Sequence, residues 1–289
     1  MYKACRSLDL IHYADDTTAF LTGDDIALTL SRINDDLQRI HCWLQVNRLT
    51  LNINKSSFMV IGPRSVQTCP LICNGCIKIN EQYLTKVSEA KFLGITIDDA
   101  LTFKQHYENV LTRLSMVSGI LHKIHRYVPT NILRMVYMSL GYSIFTYGII
   151  IWGRSSLTCT SKLQKSQNNL IKLIYGSSDS FVYKCNDLLT FNQAFDYFAA
   201  IKFYNELNNP VNMYFNNKIL NYQRPYSRIT RFSQNRNIVP PFFTKTKCQT
   251  SFIYQSIKFW NSLPLEIKNS ANINTFKRNV KIFLVNQHL

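Results

Sequence analysis

Glycine and proline are scarce in this sequence of 289 residues, with nine and eight copies, and no internal repeat is present. Their scarcity excludes collagen-like and low-complexity chains. Long hydrophobic runs are also lacking, because the most apolar stretch, residues 140–152, is shorter than a membrane span and contains polar residues. The N-terminus has no apolar segment followed by a cleavage site of small residues. We therefore expect an intracellular globular protein, nuclear or cytoplasmic, without membrane contact.

The eight cysteines are mostly scattered, which favours reduced thiols without a disulfide partner. Only Cys69, Cys73 and Cys76 are clustered. Three thiolates suit zinc, but a structural zinc site takes four ligands and no further Cys or His follows before His106. The alternative is that these cysteines are small hydrophobic residues on adjacent strands.

Acidic residues are scarce in one part of the chain only. Residues 1–100 contain 10 Lys or Arg and 11 Asp or Glu, a net charge of −1. The remaining 189 residues hold 33 − 10 = 23 bases and 17 − 11 = 6 acids, a net charge of +17. This asymmetry indicates a polyanionic partner for the second part. The alternative is a solvated basic surface that maintains solubility.

The pattern of apolar residues predicts strands first and helices afterwards, an α+β fold. In residues 1–100 we expect a hairpin over 8–21, a helix over 26–47 that covers it, strands on both sides of a polar turn at 49–62, and further strands at 71–79 and 91–98. Helices are predicted at 103–124, 130–151, 163–175, 187–207, 252–260 and 275–285. Residues 208–250 form the least regular segment.

Two adjacent carboxylates lie at the predicted turn of the first hairpin, in Tyr13-Ala14-Asp15-Asp16. Like charges at one tip are unfavourable unless they are solvated or bind a cation. Hard divalent metals prefer carboxylate oxygens. The motif therefore predicts a metal site at Asp15 and Asp16.

This motif resembles the metal-binding hairpin of reverse transcriptases, in particular those of non-LTR (LINE-like) retrotransposons. Further blocks follow in the same order. Residues 43–55 resemble the helix end, strand and lysine turn of that family, and residues 91–106 resemble its primer-grip hairpin and the entry into the thumb. Residues 251–264 and 276–281 are similar to the tail of jockey-like and CR1-like polymerases.

The resemblance implies a role for several residues. Asp15 would bind Mg²⁺ for two-metal nucleotide addition and Asp16 would be a weaker or outer partner, while Tyr13 and the small Ala14 would let the primer end approach. Lys55 would lie near the triphosphate, its alternative being a solvated turn lysine. Phe92, Leu93 and Gly94 would hold the primer, the alternative being an ordinary buried strand.

A basic, aromatic segment between residues 222 and 236 suits single-stranded nucleic acid, since arginines meet phosphates and rings stack on bases. The alternative is an irregular surface loop. The residues concerned are Arg224, Tyr226, Arg228, Arg231, Phe232 and Arg236.

The family also implies a domain order and a missing part. Residues 1–100 would be a partial palm with the primer-grip hairpin, 101–178 a helical thumb, and 179–289 a basic C-terminal region with an irregular loop at 208–250. Only twelve residues precede Tyr13, so the upstream metal-binding aspartate and the fingers are not expected in this chain. We interpret it as the C-terminal part of an RNA-directed DNA polymerase, incomplete alone, with RNA template, DNA primer and deoxynucleotides as partners. The alternatives are a noncatalytic nucleic-acid-binding module or a nonfunctional pseudogene product.

Overall fold

The computed structural model describes residues 4–72, 76–80, 82–208, 234–243 and 246–287. The chain divides into two compact units, Met1–Leu101 and Thr102–Leu289. Among the described residues, all strands lie in the first unit, whereas the second unit is helical. The protein therefore mixes helix and strand in the predicted order, with strands first.

Short strands and one long helix make up the described part of the first unit. The strands are β1 (Asp9–Tyr13), β2 (Asp16–Phe20), β3 (Ser57–Phe58), β4 (Lys78–Ile79), β5 (Gln82–Tyr83), β6 (Thr85–Lys86), β7 (Glu89–Phe92) and β8 (Ile95–Asp98). The helices are α1 (Ile26–Val46) and α2 (Arg64–Gln67). Within the described ranges the strands form separate two-stranded sheets: β1–β2, β4–β5 and β7–β8 are antiparallel and β3–β6 is parallel.

Helix α1 covers the first hairpin, as its apolar stripe predicts. The Asp25 side chain accepts a hydrogen bond from the Leu28 N–H and so caps the helix. Leu10 of β1 and Leu8, just before this strand, are buried together with Ile40 and Leu44 of α1. Burying each such side chain contributes about 1.5–3 kcal/mol, so this cluster fixes the hairpin on the helix.

The predicted strand at residues 49–55 is wrong. Residues Ile53–Lys55 form a single 3₁₀ turn, because the Asn52 side chain accepts from the Lys55 N–H and the Ser56 hydroxyl donates to the Asn52 carbonyl. Such local side-chain bonds compete with strand pairing. The following strand is also shorter than predicted and consists of β3 alone. Pro63 then precedes helix α2, which was not predicted.

The interpretation of the cysteine cluster as residues on adjacent strands is wrong for the cysteines that the structure describes. Cys69 follows α2 in a turn, and the Ile72 N–H donates to the Cys69 carbonyl, which closes a turn where a strand was predicted. Cys76 precedes β4 outside any strand, and Cys73 lies outside the described residues. The prediction of strand at residues 77–79 is confirmed by β4 alone.

Long helices form the second unit. They are α3 (Lys104–Ile124), α4 (Thr130–Val136), a π-helical turn (Tyr137–Tyr142), α5 (Ser143–Thr146), α6 (Ile149–Trp152), α7 (Leu157–Tyr175), α8 (Ser180–Cys185), α9 (Phe191–Asn208), α10 (Thr246–Gln249), α11 (Phe252–Ser262), α12 (Leu265–Lys268) and α13 (Ile273–Asn286). In the described parts of the chain, none of the helices combines the length and the apolar character that crossing a membrane requires.

Trp152 lies at the centre of the second unit and is completely buried. The Tyr107 hydroxyl donates to its backbone carbonyl over 2.8 Å, and the two rings meet edge to face. Its indole N–H donates to the Tyr147 carbonyl, and Phe191 packs against the indole. The carbonyl and the indole N–H of Trp152 are thus both hydrogen-bonded inside an aromatic core, which joins α3, α6 and α9.

The single helix predicted at residues 130–151 is interrupted. The π-helical turn shifts its register, and the helix ends at Tyr147, where ψ is 115°, before Gly148 with a φ of 60°. Glycine adopts this left-handed conformation without steric cost, and the released Tyr147 carbonyl accepts the Trp152 indole. The break therefore places Trp152 in the core.

Two predicted helix starts are also wrong. Helix α7 begins at Leu157 because the Ser156 side chain caps it, six residues before the expected start. Helix α9 begins at Phe191 because Thr190 and Gln193 exchange side-chain-to-backbone hydrogen bonds in a capping box. The predicted helices around α3, α11 and α13 are confirmed.

We expect Gly153→Ala to destabilise the second unit by about 1–3 kcal/mol. A Cβ at this buried position would lie 2.6 Å from the Ile149 carbonyl oxygen and 3.0 Å from the Phe195 ring. Gly119→Ala is the matched control, because an added Cβ there meets no atom within 4 Å on the exposed side of α3. Urea denaturation followed by circular dichroism should show a loss only for Gly153→Ala, and equal midpoints would contradict the packing described.

Candidate metal and nucleic-acid site

The first hairpin presents two carboxylates at its turn. Tyr13 pairs with Asp16, so that Ala14 and Asp15 form the two-residue connection, and Ala14 has a φ of 50°. Tyr13, Asp15 and Asp16 are exposed, and among the described residues neither carboxylate forms a hydrogen bond or an ion pair. Both carboxylates are therefore free to accept a cation or a donor from a ligand.

Hydrogen bonding and burial stiffen the strands behind this turn. His12 Nδ1 and Thr17 Oγ1 lie 2.9 Å apart across the hairpin, one residue pair from the turn. Farther back, Leu10 is buried in the cluster with α1. The turn is thus the exposed end of a hairpin that is fixed at its base.

A buried aspartate of α1 holds the backbone that leads into β1. The Asp36 carboxylate accepts hydrogen bonds from the N–H groups of Arg6, Ser7 and Leu8 at 2.7–3.1 Å. The Arg39 guanidinium donates to the same carboxylate over 3.0 Å. These bonds satisfy three consecutive backbone donors that have no strand partner, so Asp36 fixes where the hairpin starts.

The surroundings of Asp36 favour its ionised form. Burial raises the pKa of the carboxyl, but the hydrogen bonds from Ser7, Leu8 and Arg6 lower it, as does the Arg39 charge, and the net pKa lies below the usual value. Hydrogen bonds to the charged form thus outweigh desolvation. The carboxylate stays ionised through the neutral pH range.

Sequence reasoning did not identify Asp36 as a site residue. A signal was present, because Asp36 is three residues after Ile33 and four before Ile40, within the apolar stripe of α1. An acid on the buried stripe of an amphipathic helix requires partners, since an unpaired buried charge is very costly. Its partners come from backbone N–H groups, which no residue pattern reveals.

Lys55 lies in a turn, as the motif predicts. It is the last residue of the 3₁₀ turn Ile53–Lys55 and is exposed. Within the described residues its ammonium forms no ion pair with Asp15 or Asp16. The structure therefore leaves Lys55 accessible to an anionic ligand and does not join it to the carboxylates.

The predicted primer-grip residues form the turn of the hairpin β7–β8. Phe92 pairs with Ile95, and the connecting residues Leu93 and Gly94 have φ angles of 45° and 84°. Positive φ at both central residues is typical of the primed turns that close tight hairpins. Phe92 is half-buried, whereas Leu93 and Gly94 are exposed. This hairpin forms a sheet separate from β1–β2 among the described strands.

Most of the predicted arginine and aromatic segment lies outside the described residues, namely Arg224, Tyr226, Arg228, Arg231 and Phe232. Arg236 is described and is exposed. Its backbone carbonyl accepts from the Trp260 indole, and Asn261 exchanges two hydrogen bonds with the backbone of Ile238.

A buried lysine completes this attachment. Lys268 donates to the Asn235 carbonyl and to the Asn237 side chain, and burial lowers its pKa. The end of the basic segment is therefore fixed to α11 and α12. Asn261 and Lys268 were missed in the sequence because only their tertiary partners distinguish them from surface residues.

The donor chemistry of the first turn fits Mg²⁺, because both groups are carboxylates that no other described residue engages. Among the described residues, however, no three His, Cys, Asp or Glu side chains converge as a metal-binding group. Asp15 and Asp16 thus offer part of a ligand set. In the same described ranges, Cys69 and Cys76 form no such group with other ligands either.

Curated proteins resemble this chain over slightly more than half of its length. The probable RNA-directed DNA polymerase from transposon BS of Drosophila melanogaster is 29% identical over 179 residues, covering 56% of this chain and 19% of the relative. The RNA-directed DNA polymerases from mobile element jockey are 23% identical over 172 residues in Drosophila melanogaster and 22% over 169 residues in Drosophila funebris. Each match covers 57% of this chain and 18% of the relative, so the chain spans about a fifth of these relatives. No family model and no solved structure matches the chain.

We expect Asp36→Asn to lower the free energy of unfolding of the first unit by about 2–3 kcal/mol, because charge-assisted hydrogen bonds are lost. The asparagine side chain would also place an NH₂ donor where one carboxylate oxygen now accepts hydrogen bonds from backbone N–H groups. Hydrogen exchange of the Arg6, Ser7 and Leu8 amides should accelerate, while Asp35→Asn, on the exposed side of α1, should leave it unchanged.

The effect should depend on pH with a defined sign. Because the folded-state pKa of Asp36 is lowered, its contribution is complete above the unfolded-state pKa of about 3.9 and is lost as pH falls through the folded-state pKa. The stabilities of wild type and Asp36→Asn should therefore converge in acid. A constant difference from neutral to strongly acidic pH would contradict the role assigned to the ionised carboxylate.

Proposed function

Because this chain is related to the RNA-directed DNA polymerases of jockey-like, non-LTR retrotransposons, as its motifs predict, we propose that it is part of such a polymerase. Its first hairpin would hold Mg²⁺ beside the end of a DNA primer on an RNA template. The observation that carries the proposal is the tight turn with two exposed, unengaged carboxylates, Asp15 and Asp16, on an anchored hairpin. Its place of action would be intracellular, nuclear or cytoplasmic.

In this proposal the residues of the chain position the reactants. Asp15 and Asp16 hold Mg²⁺, which stabilises charge on the attacking and leaving oxygens in phosphoryl transfer. Tyr13 precedes the turn with 61% of its surface exposed and provides a ring against which the primer terminus can lie. Lys55, also exposed, would neutralise the triphosphate of the incoming deoxynucleotide.

The second hairpin would contact the primer strand. Leu93 and Gly94 project at a turn whose positive φ angles leave the backbone exposed, and Gly94 has no side chain to prevent a close approach. Half-buried Phe92 would support the turn from below. Residues 1–100 would then be part of a palm, 101–178 a thumb, and 179–289 a basic tail.

A second candidate function is nucleic-acid binding without catalysis. It is favoured by the net charge of +17 after residue 100, which by itself suits a polyanion. A nonfunctional pseudogene product would need neither metal nor nucleic acid. The experiments below separate these cases, because metal at the hairpin, primer extension and binding are measured independently.

Affinity cleavage tests the metal site. Fe²⁺ in place of Mg²⁺, with ascorbate, generates radicals that cut a nucleic acid close to the bound ion. With a primed RNA template we expect cuts near the 3′ end of the DNA primer, and we expect Asp15→Asn with Asp16→Asn to abolish them. The measurement is the position and yield of the cuts on a sequencing gel.

The control changes two carboxylates outside the turn. Asp24 and Asp35 are exposed, so Asp24→Asn with Asp35→Asn changes the net charge equally and leaves the turn intact. Cuts should persist in this control. If both double variants cleave alike, or if wild type cuts away from the primer end, the metal site does not lie at this hairpin.

We expect the 289-residue chain alone not to extend a primed RNA template with Mg²⁺ and deoxynucleotides. The reason is that the described residues bring no third metal-ligating side chain to the pair, whereas two-metal transfer uses aspartates from two places. The measurement is incorporation of labelled deoxynucleotide. Extension that disappears in Asp15→Ala would show that the ligand set is complete within this chain.

A further inference from the structure

A long part of the second unit contains no acidic residue. Residues 109–178 include eight Lys or Arg and no Asp or Glu. Two of these bases are used within the fold, since Arg154 pairs with Asp196 and Arg134 donates to the Asn186 carbonyl. The other six are exposed: Arg113, Lys123, Arg126, Lys162, Lys165 and Lys172.

Three of the exposed bases share one face of α7. At 100° per residue, Lys162, Lys165 and Lys172 lie within an arc of about 80° and extend over about 15 Å of helix. The opposite face is buried and includes Leu163, Leu170 and Ile174. The packing of α7 into the core therefore directs the lysine face outward.

The lysine face carries charge that nothing in the described structure neutralises. Within the described residues, Lys162, Lys165 and Lys172 form no ion pair, and no acid lies three or four positions from any of them on α7. Surface helices are commonly stabilised by Glu–Lys pairs at this spacing, whereas like charges destabilise a helix. Lys162 and Lys165, three residues apart, repel each other.

Of the six acids of the second unit, four are engaged elsewhere, while Glu108 of α3 and Glu266 of α12 are exposed. Asp196 binds Arg154, Glu206 binds Lys202, and Asp187 binds Lys281. Asp179 caps α8. Among the described residues, none of these four acids pairs with a lysine of α7, so an external polyanion can supply the counter-charge that they do not give.

Between the lysines, the same face offers small hydrogen-bonding groups. Thr158, Ser161 and Asn169 are exposed beside Lys162 and Lys165. Hydroxyl and amide groups bind phosphate oxygens, and lysines neutralise them, so the face suits a strand of regularly spaced phosphates. The exposed Leu157 is the first residue of α7, before Thr158, and does not lie between the three lysines.

We propose that the exposed face of α7 formed by Lys162, Lys165 and Lys172 binds the phosphodiester backbone of a nucleic acid. The choice of partner rests on the proposed function, but the contact requires neither the hairpin carboxylates nor metal. Its residues are distinct in sequence from the arginine segment at 222–236.

The test is salt-dependent binding by the full chain in EDTA, with the triple change Lys162→Gln, Lys165→Gln and Lys172→Gln. Each phosphate contact contributes about −0.7 to the log–log salt slope on a single strand and about −0.9 on a duplex. Losing three contacts should make the slope shallower by about 2–3. Single-stranded RNA, single-stranded DNA and an RNA–DNA hybrid identify which backbone is bound.

The control changes three exposed lysines of the same unit, Lys104→Gln, Lys184→Gln and Lys258→Gln. It removes the same charge from other faces and should leave the slope close to that of wild type. Equal slopes for the two triple variants would overturn the proposal, because net charge alone would then explain binding. Lys162→Arg, Lys165→Arg and Lys172→Arg together should retain the wild-type slope.

Footprinting of the wild-type chain keeps the proposal testable if a variant fails to fold. Bound nucleic acid should protect Lys162, Lys165 and Lys172 from acetylation more than Lys104, Lys184 and Lys258, as mass spectrometry would show. Uniform protection, or protection by vesicles of anionic phospholipid but not by nucleic acid, would refute the assignment. Failure here leaves the metal test at Asp15 and Asp16 unaffected, so the two proposals fail independently.

Discussion

The Asp36 carboxylate determines where the first hairpin begins. It replaces water for three consecutive backbone N–H groups at Arg6, Ser7 and Leu8, which no strand partner satisfies. The same segment leads to Leu8 and Leu10, which are buried in the cluster with Ile40 and Leu44 of α1. The turn with Asp15 and Asp16 follows at a fixed distance along β1. The position of an exposed site thus depends on a buried charge on another element.

Sequence reasoning succeeded where local rules decide the outcome. The hairpin turn at Asp15 and the amphipathic stripe of α1 are encoded by neighbouring residues, whereas the apolar pattern predicted one strand over 91–98 and only the family resemblance implied the hairpin containing Leu93 and Gly94. The turn at Asp15 and the hairpin at Leu93 belong to the blocks that resemble reverse transcriptases, as does the block 43–55, in which the predicted strand is a 3₁₀ turn. The carboxylate turn was therefore predicted together with its backbone setting, whereas that of Lys55 was not, and the chemical roles of all these residues remain predictions.

Sequence reasoning failed where tertiary contacts, or hydrogen bonds between side chains and the backbone, determine the local structure. The strand predicted at 49–55 is replaced by a turn because Asn52 and Ser56 bond locally, and the helix at 130–151 is broken so that Trp152 enters the core. The anchoring residues Asp36 and Lys268 are ordinary charged residues in the sequence. Both become distinctive only through distant backbone groups, which one sequence does not display.

The two units use charge in opposite ways. In the first, the surroundings of buried Asp36 favour its ionised form, while Asp15 and Asp16 lie at an exposed turn and bond to nothing among the described residues. In the second, three of the six acids form internal ion pairs, and among the described residues the lysine face of α7 forms none. Uncompensated charge raises the free energy of a folded protein unless a ligand neutralises it. Unengaged carboxylates fit a cation and unengaged lysines fit a polyanion, and a nucleic acid with its metal ion supplies both charges.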